Sequence, residues 1–271
     1  MDVSAIIVEY GNTEIIKAAI ASVRDNLADL EYEILVVSNS VYNSEVRAKL
    51  KQEFREVCFI FNEDNIGFSK ANNQGIKQSK GDFVLLINPD AKLCDRSVLC
   101  AIELMGCQKK VAATGPMIVD KFGTVQDSCR NFLTFGQLLA RSLKRLLRLE
   151  TGGIIENSII SEAQPVDWVS GACVLVRRAA IDSSGYMDER YFMYIEDMDW
   201  CRTFWFNGWE VWYEPTWKVE HNAGRGSSSG LSVSNKLMWI HFASYCKYLL
   251  KWLGKPTRQT EIKKSTWRTI R

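Results

Sequence analysis

The sequence predicts an α/β protein built on a doubly wound, mostly parallel sheet, and three observations carry that expectation. Short apolar runs alternate with stretches of helical spacing through roughly the first 115 residues, the pattern of repeated strand–helix units. The run Phe83–Ile87 holds five apolar residues between Gly81 and Pro89. Its length and continuity suit a strand buried on both faces rather than a membrane span. Pro89 cannot donate to a sheet ladder, so it ends that strand and hands Asp90 to the loop beyond the carboxyl end. In open α/β sheets that edge is where ligands bind.

The elements follow in order. Ser4–Val8 reads as a strand, then Ile15, Ile16, Ala19, Ile20 and Val23 recur at helical spacing. Ile34–Val37 is a second strand, Val46–Phe54 a short helix, Val57–Phe61 a third strand and Ala71–Gln78 a helix leading to the Phe83 strand. Ser97 is placed to cap a helix that runs to about Cys107, and Val111–Thr114 is a further strand. Beyond Gly115 the pattern loosens. Leu133–Leu149 is amphipathic, with four basic residues opposite five leucines, and Thr151–Ala163 has no period and reads as a loop. Val166–Val169 and Cys173–Val176 read as strands flanking Ser170-Gly171-Ala172. Glu196–Asn207 reads as a helix, Glu210–Tyr213 and Val219–His221 as two separate strands, and Leu237–Leu253 as a helix interleaving Trp239, Tyr245, Tyr248 and Trp252 with lysines.

Composition narrows the class. An apolar fraction of 46% and a charged fraction of 24% over 271 residues are those of an ordinary folded protein. No run of eighteen apolar residues occurs, and Met1-Asp2-Val3-Ser4 lacks a signal-peptide layout, so a cytoplasmic protein is expected. The eight cysteines form no Cys-x-x-Cys pair and lie mostly in apolar stretches, which favours reduced, buried thiols. From Lys236 onward nine Lys/Arg face the single Glu261, a net +8, which leaves −6 on the rest of a chain whose total is +2. Such a tail suggests an anionic partner. The acidic body and the lack of a nucleic-acid module exclude nucleic acid as that partner.

Four places could carry chemistry. Asp90, in Asn88-Pro89-Asp90, either binds Mg²⁺ or Mn²⁺ beside phosphates or is a turn carboxylate satisfying local amides. Glu196, Asp197 and Asp199 place three carboxylates within four residues after an aromatic run. Acidic residues suit a helix's first turn, but three beside apolar neighbours also raise one another's pKa, as a general base requires. His221 either packs at a strand end or completes a metal site with Asp90, whereas His241 lies among aromatics and reads as packing. Asn65 to Gly75 opens a helix with amides and two glycines. It is built either to meet phosphate or a nucleotide edge, or to make a capped glycine turn.

Ala5-Ile6-Ile7-Val8, Asn65-x-Gly67-Phe68-x-x-x-Asn72-Asn73-x-Gly75, Asn88-Pro89-Asp90, Trp168-x-x-Gly171-Ala172, Phe192-Met193-Tyr194-x-Glu196-Asp197-x-Asp199 and His221 stand in one order from about Ser4 to Gly224. As a set they resemble the inverting glycosyltransferases of family two, and more narrowly the bacterial rhamnosyltransferases of O-antigen and other surface polysaccharides. The resemblance implies a GT-A fold over residues 1–230, with a nucleotide-sugar half to about 115 and an acceptor half beyond it, followed by a basic aromatic helical tail over 231–271. It implies Asp197 as catalytic base, and Asp90 and His221 as ligands of Mg²⁺ or Mn²⁺. Tyr10, Ser38, Asn39, Asn65, Gly67, Phe68, Asn72, Asn88 and Asp90 would contact the nucleotide sugar, and Trp168, Gly171, Glu196 and Asp199 the acceptor. Similar proteins carry an aspartate after the second strand for the nucleobase; here Ser38 and Asn39 stand there, which leaves the nucleotide open. The expected donor is dTDP-rhamnose, with a UDP-hexose, UDP-N-acetylhexosamine or galactofuranose donor as the alternative. The acceptor is a glycan or a polyprenyl-diphosphate-linked sugar, met at the inner face of the cytoplasmic membrane by a monomer or homo-oligomer. A nucleotidyltransferase would need a better phosphate loop than Tyr10-Gly11-Asn12-Thr13, and a non-catalytic carbohydrate or membrane binder would leave the acid cluster without a task.

Overall fold

A computed structural model describes residues 1–132, 160–222 and 235–255. The expected helix over 133–149, most of the loop over 151–163, the glycines at 226–230 and the chain past 255 lie outside those residues.

The strands are β1 (Val3–Glu9), β2 (Tyr32–Ser38), β3 (Val57–Phe61), β4 (Phe83–Ile87), β5 (Ala91–Leu93), β6 (Val111–Val119), β7 (Cys129–Arg130), β8 (Gln164–Pro165), β9 (Trp168–Val169), β10 (Cys173–Arg177) and β11 (Glu210–His221). The helices are α1 (Glu14–Leu27), α2 (Ser44–Glu53), α3 (Phe68–Gln78), α4 (Val98–Cys107), α5 (Arg178–Ser184), α6 (Glu196–Phe206) and α7 (Asn235–Trp252). The main sheet runs β3-β2-β1-β4-β10-β6-β11-β5, with β8 added against β11. From β3 to β4 every pairing is parallel, and β6 with β11 is parallel as well. β10 runs antiparallel between β4 and β6, and β5 antiparallel to β11.

Alternation along the strands sends side chains to two cores. Val3, Ala5 and Ile7 of β1 meet α1, α2 and α4 on one face, whereas Ile6 and Val8 meet the core that includes residues of α3, α5, α6 and α7 on the other. β4 lies between β1 and β10, and Val84–Ile87 are all buried, as a strand covered on both faces must be.

Several local expectations change. Glu210–Tyr213 and Val219–His221 belong to one strand whose register to β6 slips between Glu214 and Lys218. Pro215 in that interval has no N–H for the ladder, and the Glu214 carboxylate instead accepts from the Thr216 amide and hydroxyl. Ser97 does not cap α4; its hydroxyl accepts from the Lys218 amide (3.0 Å). β5 and α5 carry too few periodic residues to be read from the sequence. All eight cysteines are free, but only Cys173 and Cys201 are buried, while Cys58, Cys94 and Cys107 are exposed. Among the described residues no helix is long and apolar enough to cross a membrane.

Candidate active site

β4 delivers Asn88-Pro89-Asp90 to the sheet's carboxyl edge, where the Asn88 amide donates to the Ala172 carbonyl (2.8 Å). The chain turns at once into β5, whose antiparallel pairing with β11 sets Ala91 opposite His221. That register brings His221 Nε2 to 3.2 Å from Asp90 Oδ1 and to 3.5 Å from Asn88 Nδ2. Gln126 donates to the His221 carbonyl and Asn222 to that of Asp90, fixing both backbones.

Tyr194 and Ile195 both adopt left-handed backbone, φ 71° and 75°. For a β-branched residue such as Ile195 that conformation is a real cost, of about 1–3 kcal/mol, of the kind concentrated at functional sites. α6 starts immediately afterwards. The Gly171 amide donates to Asp197 Oδ2 (3.0 Å) and the Met198 amide to Oδ1 (2.8 Å). A β-carbon at Gly171 would stand 3.3 Å from Asp197 Cβ, so the absence of a side chain there lets the loop reach the carboxylate. Gly171 precedes Ala172, the residue bonded to Asn88, so a short string of backbone contacts ties Asp197 to the Asp90–His221 pair.

Asp197 is half-buried, enclosed enough for desolvation to push its carboxyl above the ordinary range while one edge stays open. Its two amide donors and the charge of Arg130 oppose that shift. Glu196 is buried, and desolvation first, then the charge of Asp197, lifts its carboxyl to about 8. Glu196 Oε2 has no hydrogen-bond partner among the described residues. Two adjacent acids cannot both ionise cheaply, so the deeper, unsatisfied Glu196 keeps the proton and Asp197 is the better base.

Asp199 does not join them. Asp199, 1% exposed, is held by Lys251 Nζ (2.5 Å), Trp252 Nε1 (2.7 Å) and Tyr191 OH (3.2 Å). The expected acceptor contact is thereby an anchor for α7. Trp168 stands at the β7–β9 ribbon opposite Arg130, whose guanidinium lies 5.4 Å from the indole centroid and is oriented by Asp127 (2.6 Å).

The other expected ligand contacts line the edge of β1–β3. Ser38 donates to Glu9 Oε2 (2.7 Å), and Ser40, Tyr42 and the Asn12 amide donate to Glu9 Oε1. Asn39 donates to the Gly67 carbonyl (3.3 Å) and Asn65 accepts from the Gly67 amide (3.0 Å), whereas Asn72 bonds back to the Phe68 carbonyl within α3. Tyr10 is 63% exposed at the same edge. The Phe68 amide donates to the Phe192 carbonyl (2.7 Å), and a β-carbon on Gly67 would sit 2.6 Å from that oxygen, so this loop and the acid loop are in direct contact. Asn73 closes a second joint to the carbonyl of Met187. Glu9 and Arg130 escape a reading of the sequence, while Asn73 stands in the motif quoted above without a role of its own. Glu9 had a usable signal, a charge at the end of an apolar strand; Arg130 had none.

This α/β chain gathers an Asp–His pair and a desolvated carboxylate at the carboxyl edge of its sheet. Its likeness to the solved structure of GalNAc-T7 with UDP, GalNAc and Mn2+ shows the same fold, with a TM-score of 0.66 over 94% of this chain at 15% identity. This chain spans about half of that one, 48%. Residues 4–156 match the family described as Glycosyl transferase family 2, and the chain belongs to that family. It is 29% identical over 213 residues to the N-acetylglucosaminyl-diphospho-decaprenol L-rhamnosyltransferase of Mycobacterium tuberculosis, covering 71% of this chain and 68% of the relative. It is 26% identical over 254 residues to rhamnosyltransferase WbbL of Escherichia coli, covering 91% and 92%.

Proposed function

We infer that this glycosyltransferase moves L-rhamnose from dTDP-rhamnose to a sugar hydroxyl of a polyprenyl-diphosphate-linked glycan, with inversion at the anomeric carbon. The observation that supports the reading is the tie from Asp197 through Gly171, Ala172 and Asn88 to Asp90 and His221, which joins the carboxylate we assign as base to the pair we assign to the diphosphate. The choice of rhamnose and of a lipid-linked acceptor is supported by what the two relatives are named for.

The donor set suits a divalent cation shared with phosphate. Among the described residues no three His, Cys, Asp or Glu form a protein cage. One carboxylate and one imidazole 3.2 Å apart leave room for phosphate oxygens and water, the arrangement Mg²⁺ and Mn²⁺ accept. Asp90 and His221 would hold the ion, which when bound neutralises charge on the departing diphosphate.

The protein's own groups do the rest. Asp197 takes the proton of the acceptor hydroxyl, whose oxygen attacks the anomeric carbon from the side opposite the nucleotide. The amides of Gly171 and Met198 fix the orientation of that carboxylate, and buried, protonated Glu196 keeps a second negative charge away from it. Trp168 offers a flat face to a sugar ring, while Arg130 beside it is placed for acceptor phosphate. Base catalysis of this kind gives about 10²–10⁴-fold, so positioning supplies the remainder. The other reading, a UDP-sugar donor, stands beside it because Ser38, held on Glu9, replaces the carboxylate expected to select the base and leaves the nucleotide open. A screen of nucleotide sugars at fixed Mn²⁺, with product configuration read by NMR, tests both. Failure of every donor to transfer refutes the reading.

A further inference from the structure

α7 has two unlike faces. Its inner face holds the acid loop: Ser244 donates to the Met193 carbonyl (3.0 Å), Lys247 to that of Arg190 (2.6 Å), and Lys251 and Trp252 grip Asp199. Tyr248 between them is 2% exposed. Its outer face carries Trp239, Phe242 and Leu250, with Leu253 one residue past the helix end, and the four are 57–76% exposed. Their spacing puts all four on one stripe about 100° wide. Phe206, 53% exposed, stands at the end of α6 against Trp252 and Lys255. Single exposed apolar residues are ordinary, but an aligned row of large ones marks a contact surface.

Charge decides what covers it. The chain from Lys236 onward is +8 and the remainder −6. A second copy docking through this face would set one +8 segment against another. An anionic bilayer instead meets both properties, headgroups for the basic residues from Lys255 onward, since Lys247 and Lys251 are held by the inner face, and acyl chains for the stripe. We propose that the outer face of α7 seats in the interface of an anionic membrane while its inner face holds the loop of Asp197, which keeps that loop near the surface where a lipid-borne acceptor is presented. The seating itself is independent of which sugar is moved, although its link to the acceptor rests on the transfer reading above.

The test is sedimentation of the full chain with vesicles of equal parts phosphatidylglycerol and phosphatidylcholine, against phosphatidylcholine alone. The comparison variant is W239S/F242S/L250S/L253S. The wild type should pellet with the anionic vesicles and be released by salt. The variant should lose about tenfold or more in partitioning while keeping its melting temperature and its transfer to a water-soluble acceptor. A wild type that does not pellet, or a variant that pellets equally, overturns the proposal. So does a wild-type dimer, by light scattering, that the variant dissociates. Because vesicle binding is read without turnover, a failed transfer assay would count against the sugar-transfer reading and not against this surface.

Discussion

Gly67 gives the sharpest test of how the donor loop and the acid loop are joined. Its backbone, φ 87° and ψ 169°, lies in a region nearly restricted to glycine, and a side chain there costs about 1–3 kcal/mol in strain. Gly67→Ala adds a second cost. The new β-carbon would stand 2.6 Å from the Phe192 carbonyl oxygen and 2.8 Å from its ring, so the backbone of one loop must move. The Phe68 amide bond to the same oxygen (2.7 Å) is then stretched, for about 0.5–1.5 kcal/mol more. The total is roughly 2–4 kcal/mol, less than ordinary native stability, so the variant folds. At about 2–4 °C per kcal/mol its melting temperature should fall by roughly 4–16 °C. Gly185 supplies the control. It shares nearly the same backbone, φ 94° and ψ 171°, with nothing within 4 Å of an added β-carbon, so Gly185→Ala carries the strain alone. Phe192 is five residues before Asp197, and a displacement approaching 1 Å at a base costs about 100-fold in turnover. Calorimetry and steady-state transfer on both variants decide the matter. Equal melting temperatures and equal kcat for Gly67→Ala and Gly185→Ala would refute the proposed coupling.

Four further outcomes are expected. Asp197→Asn should fold and bind donor nucleotide but lose about 10²–10⁴-fold in kcat; near-normal transfer removes it from the role. Chelation by EDTA should abolish transfer, with Mn²⁺ or Mg²⁺ restoring it and Asp90→Ala blocking the restoration; activity undiminished in EDTA refutes the ion's place at Asp90 and His221. The Glu196 carboxyl, at about 8 folded against 4.5 unfolded, keeps its proton longer in the folded state, so its stabilising contribution is complete below about 4.5 and lost as pH rises through 8. Glu196→Gln should flatten that slope of at most about 1.4 kcal/mol per pH unit, and urea midpoints with an unchanged pH dependence would argue otherwise. Lys251→Met strips a buried carboxylate of its cation and should cost about 3 kcal/mol, with Lys251→Arg restoring most of it; a wild-type unfolding midpoint in Lys251→Met would show that α7 does not depend on the pair.

The sequence by itself determined the parallel half of the sheet and the position of its ligand edge. β1, β2 and β4 are short apolar runs whose burial on both faces is written into consecutive residues, β3 is a half-buried apolar run at the sheet edge, and Pro89 ends the central strand by chemistry that no tertiary contact can change. It also placed the acid cluster at a helix start. What it could not determine is where each carboxylate goes, because a side chain's destination depends on partners from distant segments. Asp197 meets Gly171 and Asp199 meets Lys251 and Trp252 only because α6 is wedged between the β9–β10 loop and α7. Asp90 meets His221 through the pairing of a three-residue strand too short to announce itself, and Arg130 reaches Trp168 through a two-residue ribbon. Local pattern fixed the longer elements, and long-range packing alone decided which of their polar groups meet.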